Sequence, residues 1–257
     1  MGIFGRFFSA ASAAPTFEPP APARAVYAIG DVHGMAQHLD TVLAMIDADA
    51  TQRGIEAADL VLVGDYVDRG DDSRAVLERL HELTATLPEY VTCLMGNHER
   101  MMLDFLDDPE RTGERWVRNG GLQTLASFGV GGITAHPNAA MLVEASAALE
   151  AALGPVLRQW LAALPMHWQS GNVAVVHAAA DPALPIADQP DRLLLWGCAA
   201  FERTPRRDGI WIVHGHTVVN APGVKDGRIS IDTGACFNGH LTAVALIPGE
   251  PPAFLTT

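Results

Sequence analysis

Apolar and polar positions along the chain set out a regular order of elements from Ala25 onward. Val26-Tyr27-Ala28-Ile29, Leu60-Val61-Leu62-Val63 and Val91-Thr92-Cys93-Leu94 have the length and β-branched character of buried strands. After the first, Leu39, Val42, Leu43 and Ile46 recur at helical spacing, and after the second Ala75, Val76, Leu80 and Leu83 do the same. Strand, loop and helix in repetition predict parallel strands with helices packed on the sheet faces, an α/β fold. Residues 99 to about 164 read as mainly helical, with breaks at Gly120-Gly121 and at 129–132; Trp116, Leu122, Leu125 and Phe128 are expected in the core, and His136 in a surface loop. Beyond Pro165 the pattern turns strand-like. Met166-His167-Trp168-Gln169 and Val173-Ala174-Val175-Val176 flank the hairpin turn Ser170-Gly171-Asn172, and further strands are expected at 210–213, 228–231 and 241–247. Residues 1–24, rich in alanine and proline, read as a flexible tail, and 25–257 as one domain.

The first three strands end alike. Each runs into a glycine followed by a side chain that can bind a cation: Gly30-Asp31-Val32-His33-Gly34, Gly64-Asp65-Tyr66-Val67-Asp68-Arg69-Gly70 and Gly96-Asn97-His98-Glu99. The strand-like runs of the second half end in His177 and in His214-Gly215-His216. Open α/β folds place their ligands in loops at the carboxyl ends of strands. Singly, an Asp after Gly is ordinarily a turn or a helix cap, and a strand-end His a satisfied core residue. Recurrence at five strand ends makes the joint reading a cluster.

Composition narrows what such a cluster does. A formal charge of −13 argues against nonspecific nucleic-acid binding, which needs a basic surface. An acidic chain that acts on phosphates needs a local positive site, and metal ions can supply one. Cys93, Cys198 and Cys236 form no Cys-x-x-Cys pair, so neither a disulfide framework nor a thiolate zinc site is suggested, and a cytoplasmic location is expected. The run around Phe4, Phe7 and Phe8 is too short for a signal or membrane segment, and no membrane partner is expected.

Asp31, His33, Asp65, Asn97, His177 and His216 offer oxygens and imidazoles without a thiolate, a set suited to manganese, iron or zinc. Six donors exceed the need of one tetrahedral ion. They suit two divalent ions bridged by a carboxylate, an arrangement that clamps a phosphoryl group during in-line attack by metal-bound hydroxide. Arg69 offers a fork of donors to phosphate oxygens. His98 could protonate the leaving oxygen, with Asp68 orienting that imidazole.

These blocks resemble the signature motifs of the calcineurin-like metallophosphoesterases, and within them the phosphoprotein phosphatase branch with its small bacterial and phage serine/threonine phosphatases. His177, Gly215-His216-Thr217 and Ile231-Asp232-Thr233-Gly234 are similar to the later motifs, so the likeness runs from about Ala25 to Leu246. The resemblance implies a four-layer α-β-β-α sandwich with two central mixed sheets. It implies a first ion on Asp31 and His33, a bridging Asp65, and a second ion on Asn97, His177 and His216; Mn2+ is the ion expected from the donor set, with iron or zinc as alternatives. It further implies contacts of Arg69 and His98 with the phosphoryl group, and hydrolysis of phosphoserine or phosphothreonine in proteins or of a small phosphoester. Symmetrical dinucleoside tetraphosphate hydrolases are similar to this branch and give a second substrate reading. Two departures stand out. Ala178-Ala179-Ala180 follows His177 where a glycine is usual, and Trp196-Gly197-Cys198 stands where a Trp-x-Arg segment usually supplies a second phosphate arginine. Cys198 cannot replace that contact; Arg192 or Arg203 could swing in, although an exposed ion pair is the ordinary use of either. A weakly active protein that recognises phosphorylated partners is therefore the third reading.

Overall fold

The computed structural model describes residues 16–257. The first half builds one sheet. β1 (Ala25–Ile29), β2 (Ala58–Leu62) and β3 (Val91–Cys93) are linked by α1 (Ala36–Arg53) and α2 (Ser73–Thr86), and α1 stops where Gly54 takes the left-handed conformation and its amide caps the Ala50 and Thr51 carbonyls. A helical block follows: α3 (Asn97–Asp107), α4 (Pro109–Trp116), a π-helical turn at Val117–Gly121, α5 (Leu122–Ser127) and α6 (Ala139–Ala162). The second half supplies β4 (His167–Ser170), β5 (Val173–Val176), α7 (Asp191–Trp196), α8 (Ala199–Arg203), β6 (Trp211–His214), β7 (Gly223–Lys225), β8 (Arg228–Ser230), α9 (Ala235–Asn238), β9 (Thr242–Leu246) and β10 (Ala253–Thr256).

Both sheets are mixed, as expected. One has the order β10-β9-β1-β2-β3, parallel through β1, β2 and β3 and antiparallel at β9 and β10; the other has the order β4-β5-β6-β8-β7, parallel through β5, β6 and β8 with antiparallel edges. The two-residue period of each strand sorts side chains between layers. Val26, Ala28, Val61 and Val63 of one sheet meet Val173, Val175, Val213 and Ile229 of the other. The opposite side of the first sheet packs Ile29, Leu62 and Cys93 against Leu39, Val76, Leu80, Met102 and Phe105 from the helices. Behind the second sheet, Ala174, Val176 and Ile212 pack on Leu194 and Phe201 of the short α7 and α8. This is the four-layer sandwich, with a thin fourth layer. Each fully buried Val, Ile or Leu in these layers contributes about 1.5–3 kcal/mol of transfer free energy.

β7 and β10, which the sequence pattern does not announce, are short edge strands. Residues 16–24, the described part of the stretch expected to be a tail, make contacts with both sheets. Phe17 packs on Trp211 with ring centroids 5.4 Å apart, the Ala21 amide donates to Asn172 Oδ1, the Ala23 amide to Ser170 Oγ, and Arg24 pairs with Asp59 at 2.6 Å. These contacts hold the segment against the edge of the second sheet and the end of the first. Phe4, Phe7 and Phe8 lie outside the described residues. α6 is long and apolar enough to cross a membrane by composition. It instead lays Leu142, Ala145, Leu149 and Leu153 into the helical core, carries Glu144, Glu150 and Arg158, and breaks at Gly154 (φ 73°, ψ 164°) ahead of Pro155.

Candidate active site

Five strand ends meet over the seam between the sheets. The loops after β1 and β2 are laced by backbone bonds, from the amides of Val32 and His33 to the Asp65 carbonyl (3.1 and 2.8 Å) and from Gly34 to Tyr66 (2.8 Å). In the second sheet the loops after β5 and β6 are joined in turn, the Gly215 amide donating to the carbonyl of His177 at 2.8 Å. Gly64 and Gly96 let two loops touch back to back: a Cβ on Gly64, itself at φ 115°, would lie 2.6 Å from the Gly96 Cα. Five of the six non-glycine residues with positive φ among the described residues are His33, Asp65, Asp68, Arg69 and His216. Such conformations cost of order 1–3 kcal/mol each and persist where the surroundings over-determine them. The strain is concentrated where the sequence places the chemistry.

Asp65 is the centre. Its Oδ1 lies 3.4 Å from His177 Nε2, and its Oδ2 lies 3.6 Å from His33 Nε2 and 3.9 Å from His98 Nε2. Two groups of donor atoms result, His33 with Asp65 and His98, and Asp65 with His177 and His216, each within 4.8 Å internally. Asn97 Oδ1 is 2.8 Å from both His177 Nε2 and His216 Nδ1. The outer nitrogens of two imidazoles are committed elsewhere: His33 Nδ1 faces the Val67 carbonyl at 2.8 Å, and His177 Nδ1 the Val63 carbonyl at 3.1 Å. A carbonyl only accepts, so Nδ1 carries the proton and Nε2 turns a lone pair inward. Burial lowers both rings, His33 to about 3 and His177 to about 4, and also lowers His216, which keeps them neutral.

Lone pairs therefore face carboxylate and amide oxygens in a space with too few protons to join them, and cations satisfy that arrangement. The donors fit divalent ions. Asp31 stands outside both close groups: its carboxylate accepts from the His216 amide at 3.0 and 3.2 Å. A second buried acid, Asp232, is hydrogen-bonded to it, and burial together with Asp232 drives the Asp31 pKa well up. Two carboxyls in contact also call for a proton or a cation.

His98 is held differently. Its Nδ1 lies 2.7 Å from Asp68 Oδ2, which leaves Nε2 directed at the cluster. Burial works against its charged form, but the Asp65 and Asp68 carboxylates more than offset this and raise its pKa. Asp68 is fully buried and receives Trp116 Nε1 (2.9 and 3.1 Å) and Thr124 Oγ1 (2.7 Å). Arg69 reaches into the site, with Nη1 2.7 Å from His33 Nε2 and its guanidinium 5.5 Å over the Phe237 ring.

The residues singled out from the sequence are thus gathered at one place. Several other residues position them without being among the expected donors. Glu99 accepts four backbone amides, from Gly96, Asp65, Tyr66 and Val67, at 2.7–3.1 Å. Trp116 is core as expected and also a donor to Asp68. Asp232 lies in the Ile231-Asp232-Thr233-Gly234 motif, yet only the fold reveals that it meets Asp31. His214 stays out of the cluster, with Nε2 3.0 Å from Ser230 Oγ. Arg192 and Arg203 are exposed, and neither makes an ion pair among the described residues.

Known proteins are similar to this chain. The chain is 28% identical to the asymmetrical bis(5'-nucleosyl)-tetraphosphatase of Oceanobacillus iheyensis, over 84% of its own length and 86% of the relative's. It is 29% identical to a symmetrical bis(5'-nucleosyl)-tetraphosphatase of Janthinobacterium, over 86% and 92%. A match to serine/threonine-protein phosphatase 1 of Salmonella typhimurium is 37% identical over 98 residues, 38% and 39% of the two chains. Among solved structures, a protein serine/threonine phosphatase from Saccharomyces cerevisiae superposes with a TM-score of 0.59 at 14% identity, over 91% of this chain and 80% of that one, which shows the shared fold. The family model for the calcineurin-like phosphoesterases matches residues 25–220, well over half of the 257, and the chain therefore belongs to that family.

Proposed function

We propose that this metallophosphoesterase hydrolyses dinucleoside tetraphosphates at a dinuclear site. One observation carries the choice of substrate: the likeness to the two tetraphosphatases runs along more than four-fifths of both chains, whereas the likeness to the protein phosphatase stops at 38% of this one. In this reading Asp31, His33 and Asp65 hold a first ion, and Asp65, Asn97, His177 and His216 a second. Manganese is the ion proposed, on an oxygen and imidazole donor set without thiolate. Bound there, two divalent ions would draw charge from the phosphoryl oxygens and make a water acidic enough to attack at neutral pH.

The remaining steps belong to the chain. Arg69, once turned from His33 to substrate, binds phosphoryl oxygens through two N–H groups. His98 gives the proton on Nε2 to the departing phosphate oxygen. Asp68 holds that ring through Nδ1 and favours the imidazolium before transfer. Asp232 keeps Asp31 in place.

The second reading, a serine/threonine protein phosphatase, draws on the higher identity within the 98-residue match. Turnover of diadenosine tetraphosphate against a phosphothreonine peptide separates the two, and chromatography of the nucleotide products gives the cleavage position. Asp65→Asn is expected to lose both metal and rate, and His98→Ala to keep metal and lose rate. Equal metal content in wild type and the Asp65 variant refutes the bridging role.

A further inference from the structure

Beside the cluster a cavity of about 600 Å3 opens, within the range of small-molecule sites. His216 and Thr217 line it, so it is continuous with the proposed metal centre. Trp196 forms one wall. Its ring stands edge-on to His216 at 6.5 Å, Arg115 lies 4.5 Å over it, and 36% of the residue remains exposed. The indole surface that Arg115 leaves open can stack a nucleobase, because every base has a π-face.

Small residues leave the volume open. Gly197, Cys198 and Ala199 follow Trp196 along the wall, and Ala178 and Ala179 line it from the end of β5. The two departures from the family pattern therefore meet in one place. An arginine at 198 would extend into this space, whereas the thiol leaves it free. At the rim stands Lys225, the one lysine in 257 residues. No carboxylate among the described residues pairs with it, unlike Arg228, which is tied to Asp226 and to the Phe201 carbonyl. In a chain of net charge −13, a cation at the mouth of this cavity that no carboxylate among the described residues pairs is placed to meet an anion or a ribose.

We infer that this cavity binds one nucleoside of the dinucleoside polyphosphate, with its base against Trp196 and its ribose and nearest phosphate toward Lys225, so that the polyphosphate chain crosses the cluster at His216. The inference rests on the substrate reading above and adds the place where the second half of the molecule goes. It also accounts for Cys198: the position gives up a phosphate contact and makes room for a nucleoside.

Two measurements test it. The first compares kcat/KM for diadenosine tetraphosphate with that for p-nitrophenyl phosphate in manganese-loaded wild type, Cys198→Arg and Lys225→Ala. Wild type is expected to prefer the dinucleotide, and each variant to lose at least tenfold in that ratio, chiefly through KM for the dinucleotide. The second treats metal-free wild type with periodate-oxidised ATP and borohydride and maps the labelled peptide. Labelling at Lys225, blocked by diadenosine tetraphosphate, is the expected result; it decides alone if Cys198→Arg fails to fold. Wild type that cleaves p-nitrophenyl phosphate but not the dinucleotide overturns the substrate reading and this inference with it. Wild type that prefers the dinucleotide, with variant ratios within twofold of its own or with Lys225 unlabelled or unprotected, overturns the cavity assignment and leaves the substrate reading standing.

Discussion

Glu99 ties together the loops that carry the proposed metal ligands, and Glu99→Gln measures how much that contributes. Oε2 accepts the Asp65 and Gly96 amides and Oε1 those of Tyr66 and Val67, so one carboxylate ties the loop after β2 to the start of α3. Burial and the nearby Asp65 charge raise its pKa to about 8 against the pull of the amide donors, so the comparison is made above that pH, where the group is a carboxylate. Glutamine keeps the shape but turns an NH2 group toward two N–H donors. Two buried amides without an acceptor cost about 1–3 kcal/mol each, roughly 2–6 kcal/mol together. Removing a buried charge returns part of this, leaving a net loss of about 3 kcal/mol. For a chain of this size each kcal/mol moves Tm by about 2–4 °C, so the metal-free variant should melt about 6–12 °C lower by calorimetry. Asp65 is among the residues released, and disturbing the support of a ligand typically costs 10–100-fold in metal affinity. Titration calorimetry with Mn2+ should show that loss, while Glu114→Gln on the exposed side of α4 changes either measurement little. A Glu99→Gln protein that melts within 2 °C of wild type and binds manganese equally well refutes the argument.

Other consequences follow from the same contacts. Trp116→Phe keeps the stacking on Phe105, at 4.6 Å, but removes the N–H to Asp68, a bond to a charged group worth about 1.5–3 kcal/mol. It should cut kcat roughly ten- to a hundredfold with metal content unchanged, and loss of metal from that variant would contradict the role assigned to Trp116. Chelation should lower Tm and Mn2+ restore it: at a hundredfold excess over Kd, binding stabilises by about 2.7 kcal/mol, or roughly 5–11 °C. An unchanged melting curve would mean the cluster binds no ion. Phe17→Ala should cost about 1–2 kcal/mol in urea unfolding, because the ring is only partly buried against Trp211, and leave kcat alone. Loss of activity there would mean that the N-terminal segment reaches the site.

The strand-end residues were legible because a glycine after a β-branched run is a local event, and a donor beside it is visible without any fold. Asp68 shows where such reading stops. Its partner His98 sits in a neighbouring motif, but Trp116 and Thr124 lie 48 and 56 residues away on helices whose periodicity reports only which face is buried. A tryptophan counted as core turns out to be core and donor together, and only packing tells the two uses apart. The edges failed for another reason. β10 follows Pro251-Pro252, which argues against a strand, yet an edge strand has one side with no ladder to break. The proline-rich stretch before Ala25 is similar: what fixes it is Phe17 on Trp211 and the side chains of the β4–β5 turn, contacts about 150 or more positions away in sequence. The proposed nucleoside site is the extreme case. The cavity beside His216 is bounded by Gly197, Cys198, Ala199, Ala178 and Ala179, and side chains that are short carry no motif. In the sequence Cys198 registers as a lost arginine. In the fold the same residue leaves space, and the space lies between an exposed indole and the only lysine.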